Sequence, residues 1–238
     1  MIEDNSKNSK KEQVRNMFNN IASYYDFLNH FLSIGIDRRW RKFTIRLIKQ
    51  MKHDSILDVA TGTADLAIQA AKTHPKKIIG VDISDGMLEI GRKKIKSKNL
   101  EKLISLQNAD SENLPFTDES FDIAMAAFGV RNFDDLDKGI SEMFRVLKPG
   151  GAIVVLEFSK PRIFPFKQIY FLYFQNILPL IGKIVSKNKS AYSYLPESVN
   201  LFPSGDEFLN VLKKNGLSET HFHQLTMGVV SVYIGKKQ

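Results

Sequence analysis

The stretch from Ser55 to Leu66 constrains this chain more than any other. Ser55-Ile56-Leu57-Asp58-Val59 reads as a buried strand, Ala60-Thr61-Gly62-Thr63-Ala64 as a tight turn of small residues, and Asp65-Leu66 as the opening of a helix. Such a strand, turn and helix corner belongs to sheets in which strands and helices alternate, where ligands sit beyond the carboxyl ends of the strands.

The remaining chain supports that architecture. Lys77 to Asp82, Leu103 to Gln107, Phe121 to Phe128 and Ala152 to Phe158 read as further strands. Phe121 to Phe128 is continuously apolar, as a strand buried on both faces should be. Helices are predicted over about Asp65 to Thr73, Met87 to Lys98, Phe133 to Leu147 and Ser204 to Asn215, with Lys148-Pro149-Gly150-Gly151 closing the third. Two final strands, Glu219 to Leu225 and Gly228 to Lys236, complete a seven-stranded, mostly parallel α/β sheet with helices on both faces.

Two segments lie outside this alternation. Residues 14–51 form an aromatic-rich helical prelude, broken at Gly35, with Asp37 as N-cap of a second helix carrying Trp40, Phe43, Leu47 and Ile48. Residues 159–203, with Phe164, Phe166, Tyr170, Phe171, Tyr173, Phe174, Tyr192 and Tyr194, form an aromatic insertion before the last helix, expected to act as a cap or lid. Pro165, Lys167, Pro179 and Lys183 interrupt any membrane-spanning reading of it. Residues 1–13 are polar and expected to be a disordered tail rather than a signal peptide, leaving 14–238 as a single domain.

The chain has 238 residues, a formal charge of +8 and no cysteine. Disulfides, thiolate metal sites and cysteine nucleophiles are therefore excluded, and a cytoplasmic location is expected. Arg38, Arg39, Arg41, Lys42, Arg46 and Lys49 form one basic cluster, and Arg92, Lys93, Lys94, Lys96 and Lys98 another. Solvated helix faces, an anionic membrane surface and nucleic acid are all compatible with them, and charge alone does not choose.

The corner itself is more selective. A pyrophosphate site needs Gly-x-Gly-x-x-Gly, whereas these positions hold Ala60, Gly62 and Asp65. Asp58 adds a second acid, and two carboxylates would repel a pyrophosphate. Asp82 closes the next strand at the spacing from Gly62 at which an acid accepts ribose hydroxyls. A cationic nucleoside without phosphate satisfies both observations, and S-adenosylmethionine is one. Capping of turn and helix is the alternative reading for Asp58 or Asp65 taken singly.

Here the chain resembles a known family. Asp58-Val59-Ala60-Thr61-Gly62-Thr63-Ala64-Asp65, Val81-Asp82-Ile83-Ser84, Asn113-Leu114-Pro115-Phe116 with Ser120-Phe121-Asp122, and Arg145 to Gly151 are similar to class I S-adenosylmethionine-dependent methyltransferases, which have a Rossmann-like fold. Phe18-Asn19-Asn20-Ile21-Ala22-Ser23-Tyr24-Tyr25-Asp26, Phe128-Gly129-Val130-Arg131-Asn132 and Leu156-Glu157-Phe158-Ser159-Lys160-Pro161 narrow the resemblance to the menaquinone and ubiquinone biosynthesis C-methyltransferases. The resemblance implies cofactor contacts at Thr63, Asp82, Asp110 and Ser111, beside Asp58 and Gly62. Ala127 stands where that family often has serine. Ala60 and Ala64 replace common glycines and are expected to preserve the turn.

The implied reaction is methylation of a polyprenyl quinol ring carbon, with demethylmenaquinol to menaquinol first and the ubiquinone-pathway benzoquinol as alternative. It needs an ionised hydroxyl beside that carbon and no metal. Arg131 is the first candidate for stabilising the oxyanion, with Asn132 beside it; a structural ion pair, for example with Asp134, is the competing role for Arg131. Glu157 and His30 are the alternative bases. Tyr24, Tyr25, Phe128 and Tyr194 are expected against the quinol and its tail. Weak peripheral membrane contact at the inner face and a homodimer are compatible with such a substrate, and no nucleic acid is expected. His221 and His223 share a strand face, but no third metal ligand is evident. Another small-molecule or nucleic-acid methyltransferase and a non-catalytic subunit of a quinone-biosynthesis complex are the remaining alternatives. Phe128 to Asn132 lacks the Asn-Pro-Pro-Tyr type of N-methylating site, and the absence of cysteine excludes RNA carbon methylation through a cysteine adduct.

Overall fold

The computed structural model describes residues 9–33, 35–161, 164–165, 167–168, 172 and 189–238, without the side chains of residues 23, 27–32, 189–193 and 195. Two helices, α1 (Lys10–Leu32) and α2 (Asp37–Ile48), precede β1 (Ser55–Val59) and α3 (Asp65–Ala70). Then come β2 (Lys77–Asp82), α4 (Asp85–Ser97), β3 (Ile104–Asn108), β4 (Phe121–Ala127), α5 (Leu136–Arg145) and β5 (Leu147–Phe158). Helices α6 (Lys189–Leu201) and α7 (Asp206–Lys214) lead to β6 (Ser218–Leu225) and β7 (Val230–Lys236).

The strands form one sheet in the order β3-β2-β1-β4-β5-β7-β6. The first five strands are parallel to their neighbours, and β7 runs antiparallel to β5 and β6. The chain therefore reverses its direction of build between β1 and β4, the switch point at which parallel sheets open a crevice.

Period-two alternation sends side chains of β4 to opposite faces. Ile123 and Met125 pack with Trp40, Ile45 and Ile48 of α2 and Leu66 and Ala67 of α3. Ala124 and Ala126 pack with Ile140 and Met143 of α5 and Phe208 and Leu212 of α7. Each face of the sheet thus has its own apolar layer, which is why β4 reads as an uninterrupted apolar run.

Polar pins fix the register. The Asp122 carboxylate accepts the Ser55 amide at 2.8 Å and its hydroxyl at 2.7 Å, tying the start of β4 to the start of β1. The Lys148 ammonium lies 3.2 Å from the same carboxylate and 3.0 Å from the Ser55 hydroxyl.

Several boundaries differ from expectation. Lys148 to Gly151 belongs to β5: Leu147 pairs with Phe121 and Ala152 with Ile123, and the residues between them are accommodated as a bulge with Gly150 at φ +78°. The tail expected over residues 1–13 is helical from Lys10, because the Ser9 hydroxyl accepts the Glu12 amide at 3.3 Å and the lysines that follow bind across to other elements. Asp37 is not an N-cap: it lies in the first turn of α2, buried, where it pairs with Arg41 and accepts the Ser33 hydroxyl at 2.8 Å. About half of the expected cap, residues 159–203, falls outside the described residues, between 162 and 188.

Replacing Asp122 by alanine removes three charge-assisted hydrogen bonds and strands the Ser55 amide. The expected loss is on the order of 2–3 kcal/mol in denaturant unfolding; a loss below about 0.5 kcal/mol would show that the pin contributes little.

Candidate active site at the carboxyl edge of the sheet

The cleft opens where β1, β2, β3 and β4 end. Asp58, Ala60, Gly62 and Thr63 line it from the first corner, Asp82 and Ile83 from the second, Asp110 and Ser111 from the third, and Ala127, Phe128, Gly129 and Asn132 from the fourth. Lys11, Val14, Phe18 and Tyr25 of α1 and Arg41 of α2 complete the lining.

The turn after β1 is built by acids. Asp58 accepts the Thr61 hydroxyl at 2.6 Å and the Ala67 amide at 3.1 Å, so one carboxylate oxygen closes the turn and holds the first turn of α3. Asp82 accepts the Gly62 amide at 2.8 Å and the Ser84 amide at 2.8 Å, tying the two corners together. Ala60 and Ala64 adopt φ of 53° and 65°, so the turn survives with alanine in the left-handed region. Gly62, at φ +55°, has no atom within 4 Å of where a Cβ would stand. Gly129 needs its missing Cβ, which would lie 2.5 Å from the Ala60 Cβ.

Charges around the cleft fall into two sets. The Lys11 ammonium bonds Asp110 at 2.7 Å and Glu112 at 3.1 Å. Lys94 pairs with Asp65 and with Asp26 at 2.9 Å. Asp65, which the sequence suggested for a cationic ligand, thus already has a protein cation. Asp58 and Asp82 have no ion-pair partner among the described residues. Loss of hydration pushes the Asp58 carboxyl up to about 7, although Thr61, the Ala67 amide and the nearby Arg41 oppose it. The same desolvation raises Asp82 to about 6 against the Ser84 and Gly62 amides.

Helix α1 forms one wall of the cleft. Its Asn19 accepts the Ser84 hydroxyl at 2.7 Å and the Gly86 amide at 3.0 Å, at the start of α4. Its Asp26 accepts the Thr63 hydroxyl at 2.6 Å, and Lys94 donates to that same hydroxyl at 3.1 Å. Asn19 and Asp26 received no role from the sequence, although both stand in the Phe18 to Asp26 run that marks the resemblance.

Among the substrate candidates, Tyr25 and Phe128 line the cleft, with the Tyr25 ring edge-on to Phe18 at 5.9 Å. Tyr24 is 62% exposed and does not line the cleft, as helical geometry requires: neighbouring residues point about 100° apart, so one tyrosine turns out as the other turns in. Tyr194 of α6 donates to the Asn132 side chain at 3.1 Å.

Arg131 and Glu157 are brought together rather than aimed separately. Arg131 follows β4 in a short 3-10 turn (Val130–Asn132), and its guanidinium lies 2.8 Å from Glu157 on β5. Glu157 is fully buried and also accepts the Arg131 amide at 3.3 Å and the Phe158 amide at 2.9 Å. Arg131 bonds the Phe128 carbonyl too, and its Nε is buried with no hydrogen-bond partner among the described residues. The expected structural partner, Asp134, is instead 4.0 Å from Lys10. Neither Arg131 nor Glu157 lines the cleft; they adjoin it through Phe128 and Asn132. The imidazole of His30 lies outside the described side chains.

An ionised Asp58 and Asp82 attract a cation and their neutral forms do not. Affinity for S-adenosylmethionine should therefore be full at about pH 8 and weaken as pH falls through 7 toward 5, with Asp58→Asn weakening binding and flattening the profile. Calorimetry across that range checks this, and affinity that rises on acidification would contradict it.

The chain was compared with known proteins. The model of the ubiE/COQ5 methyltransferase family matches residues 6–237. A demethylmenaquinone methyltransferase of Bacteroides fragilis is 48% identical over 229 residues, covering 96% of this chain and 94% of that protein. A ubiquinone/menaquinone biosynthesis C-methyltransferase UbiE of Geotalea daltonii is 47% identical over 230 residues, covering 96% and 97%. Among solved structures, a SAM-dependent methyltransferase of Thermotoga maritima, described as a possible histamine N-methyltransferase, has TM-score 0.63 at 23% identity, covering 94% of this chain and 99% of that one. That last likeness speaks to the fold alone. The family match runs through the acidic corner, the α1 wall and the Arg131 turn, and the chain belongs to the ubiE/COQ5 methyltransferase family.

Proposed function

We propose that this enzyme transfers a methyl group from S-adenosylmethionine to a ring carbon of a polyprenyl quinol, with demethylmenaquinol as the leading substrate. The observation that carries the cofactor assignment is the pair Asp58 and Asp82, two acids in one cleft that form no ion pair among the described residues. Asp82 keeps lone pairs available for ribose hydroxyls, and Gly62 leaves bare backbone beside it. Asp110 and Ser111 lie past β3, on the far side of Asp82 from β1. These residues fit the cofactor, which when bound supplies an electrophilic methyl group on a sulfonium.

Relatives named as demethylmenaquinone and ubiquinone/menaquinone C-methyltransferases support the quinol as acceptor. The acceptor ring needs an ionised hydroxyl, and a phenolic hydroxyl has a pKa near ~10. Arg131 and the Asn132 amide are the donors we assign to that oxyanion. Glu157 holds the guanidinium in place beside Asn132, which lines the cleft. Arginine is too basic to accept the ring proton itself, so proton removal runs through another group. Glu157 is bound to the guanidinium and fully buried, which suits it to fixing Arg131 more than to taking a proton.

Tyr25 and Phe128 offer aromatic faces to the ring. Outside the cleft, Tyr24, Phe164, Leu172, Leu201 and Met227 are exposed apolar side chains, which supports a tail that stays close to lipid. No helix among the described residues is long and apolar enough to cross a membrane. Weak peripheral contact with the bilayer is therefore part of the proposal.

Labelled cofactor with a naphthoquinol and a benzoquinol side by side tests the assignment. Methyl incorporation into the naphthoquinol is expected; incorporation into the benzoquinol alone would select the ubiquinone-pathway reading, and into neither would reject the quinol. Arg131→Ala should retain cofactor binding yet lose on the order of a hundredfold in turnover. Thermal melting should be followed in parallel, because the change leaves Glu157 buried without its cation.

A further inference from the structure

Asn132 lines the cleft, and its carboxamide has two ends of nearly the same shape and opposite character. Nδ2 carries two donors and Oδ1 only accepts, so Asn132 can serve an oxyanion only if the amide is held one way round. Two groups bear on that choice. The Phe128 carbonyl lies 3.5 Å from Nδ2, at the outer limit of a hydrogen bond, and it already receives the Arg131 guanidinium. The Tyr194 hydroxyl lies 3.1 Å from Oδ1, the shorter and better contact of the two.

Tyr194 is placed for this by the helix that carries it. Helix α6 packs against the Val130–Asn132 turn, with Ser198 and Val199 buried one turn beyond Tyr194. The end of α6 is tied back to the segment after β5, where the Lys160 ammonium bonds the Asn200 carbonyl at 2.6 Å. The hydroxyl is also kept a donor. Burial raises the pKa of the Tyr194 phenol, against the Arg131 guanidinium and with the help of Glu157 and Glu197, so it keeps its proton at neutral pH. Expected from the sequence against the quinol, Tyr194 does not line the cleft and meets it only through Asn132.

We infer that Tyr194 is a positioning residue for methyl transfer: by donating to Oδ1 it fixes Nδ2 as the end of Asn132 that is offered to the acceptor oxyanion. One hydrogen of Nδ2 faces the Phe128 carbonyl, and the other is left for the substrate. Without the hydroxyl the amide is free to turn over and present a repelling oxygen to the same anion. This rests on the acceptor reading above and adds to it a residue that acts without touching the quinol.

The test is a double-mutant cycle on methyl transfer to a naphthoquinol, with cofactor affinity followed by calorimetry. Tyr194→Phe removes only the hydroxyl. It should lower kcat about five- to tenfold, the size of one neutral hydrogen bond, with the quinol KM and cofactor affinity within about twofold of wild type. Asn132→Ala should lower kcat as well, and adding Tyr194→Phe to it should change nothing further. A kcat for Tyr194→Phe within twofold of wild type overturns the role. So does the same loss in both backgrounds, or a raised KM at unchanged kcat, which would mean direct contact with the quinol. A trifluorinated tyrosine at position 194 keeps the ring and its packing but ionises near neutrality, where tyrosine itself ionises near ~10. Its kcat relative to wild type should fall as pH rises through that ionisation, because a phenolate cannot donate to Oδ1; a ratio that stays flat overturns the role even if Tyr194→Phe fails to fold. Wild-type protein that methylates neither a naphthoquinol nor a benzoquinol rejects the acceptor reading, and the positioning role falls with it.

Discussion

Asp58 and Asp82 end adjacent parallel strands, and each does two jobs with one carboxylate. One oxygen of Asp58 fastens Thr61 and the first turn of α3, and Asp82 fastens Gly62 and the entry to α4. The hydrogen bonds to hydroxyl and amide groups shape the corner but do not neutralise it. Desolvation, opposed only in part by those hydrogen bonds and, at Asp58, by the nearby Arg41, raises Asp58 to about 7 and Asp82 to about 6. The rest of the site depends on this arrangement, because it makes the turn rigid and keeps a negative field at the place where a cationic ligand fits.

Around that centre the protein neutralises every other acid it can. Lys94 reaches Asp65 and Asp26, and Lys11 reaches Asp110 and Glu112. Both lysines join sequence-distant elements, so the same contacts that set the charge of the cleft hold α1 over it. A chain with formal charge +8 thereby carries a cleft whose unpaired charges are negative, and its overall basicity describes the solvated faces of α2 and α4 rather than the site.

The strands themselves and the corner were legible in the sequence because they rest on local signals. β4 is apolar throughout since both faces are buried, and the small residues after Val59 permit a left-handed turn even with alanine at two positions. The end of α5 was misjudged for an equally local reason: Pro149 and Gly150 look like a terminator, but the pairing of Leu147 with Phe121 draws them into a bulged strand. Contacts between distant segments were not legible. Nothing in the spacing of Asp26 or Asn19 reveals that they bind Thr63 and Ser84, and the inward turn of Arg41 is hidden among five exposed basic neighbours. Arg131 and Glu157 were each recognised as candidates, yet only the pairing of β4 with β5 shows that they act as one unit.

The central claim is that this corner selects a cationic nucleoside over a phosphate-bearing one. Competitive calorimetry between S-adenosylmethionine and a nicotinamide dinucleotide tests it most directly. The structure predicts saturable binding of S-adenosylmethionine that excess dinucleotide does not displace. Displacement at comparable concentrations would mean that Asp58 and Asp82 do not set the charge preference of the site, and would contradict the account.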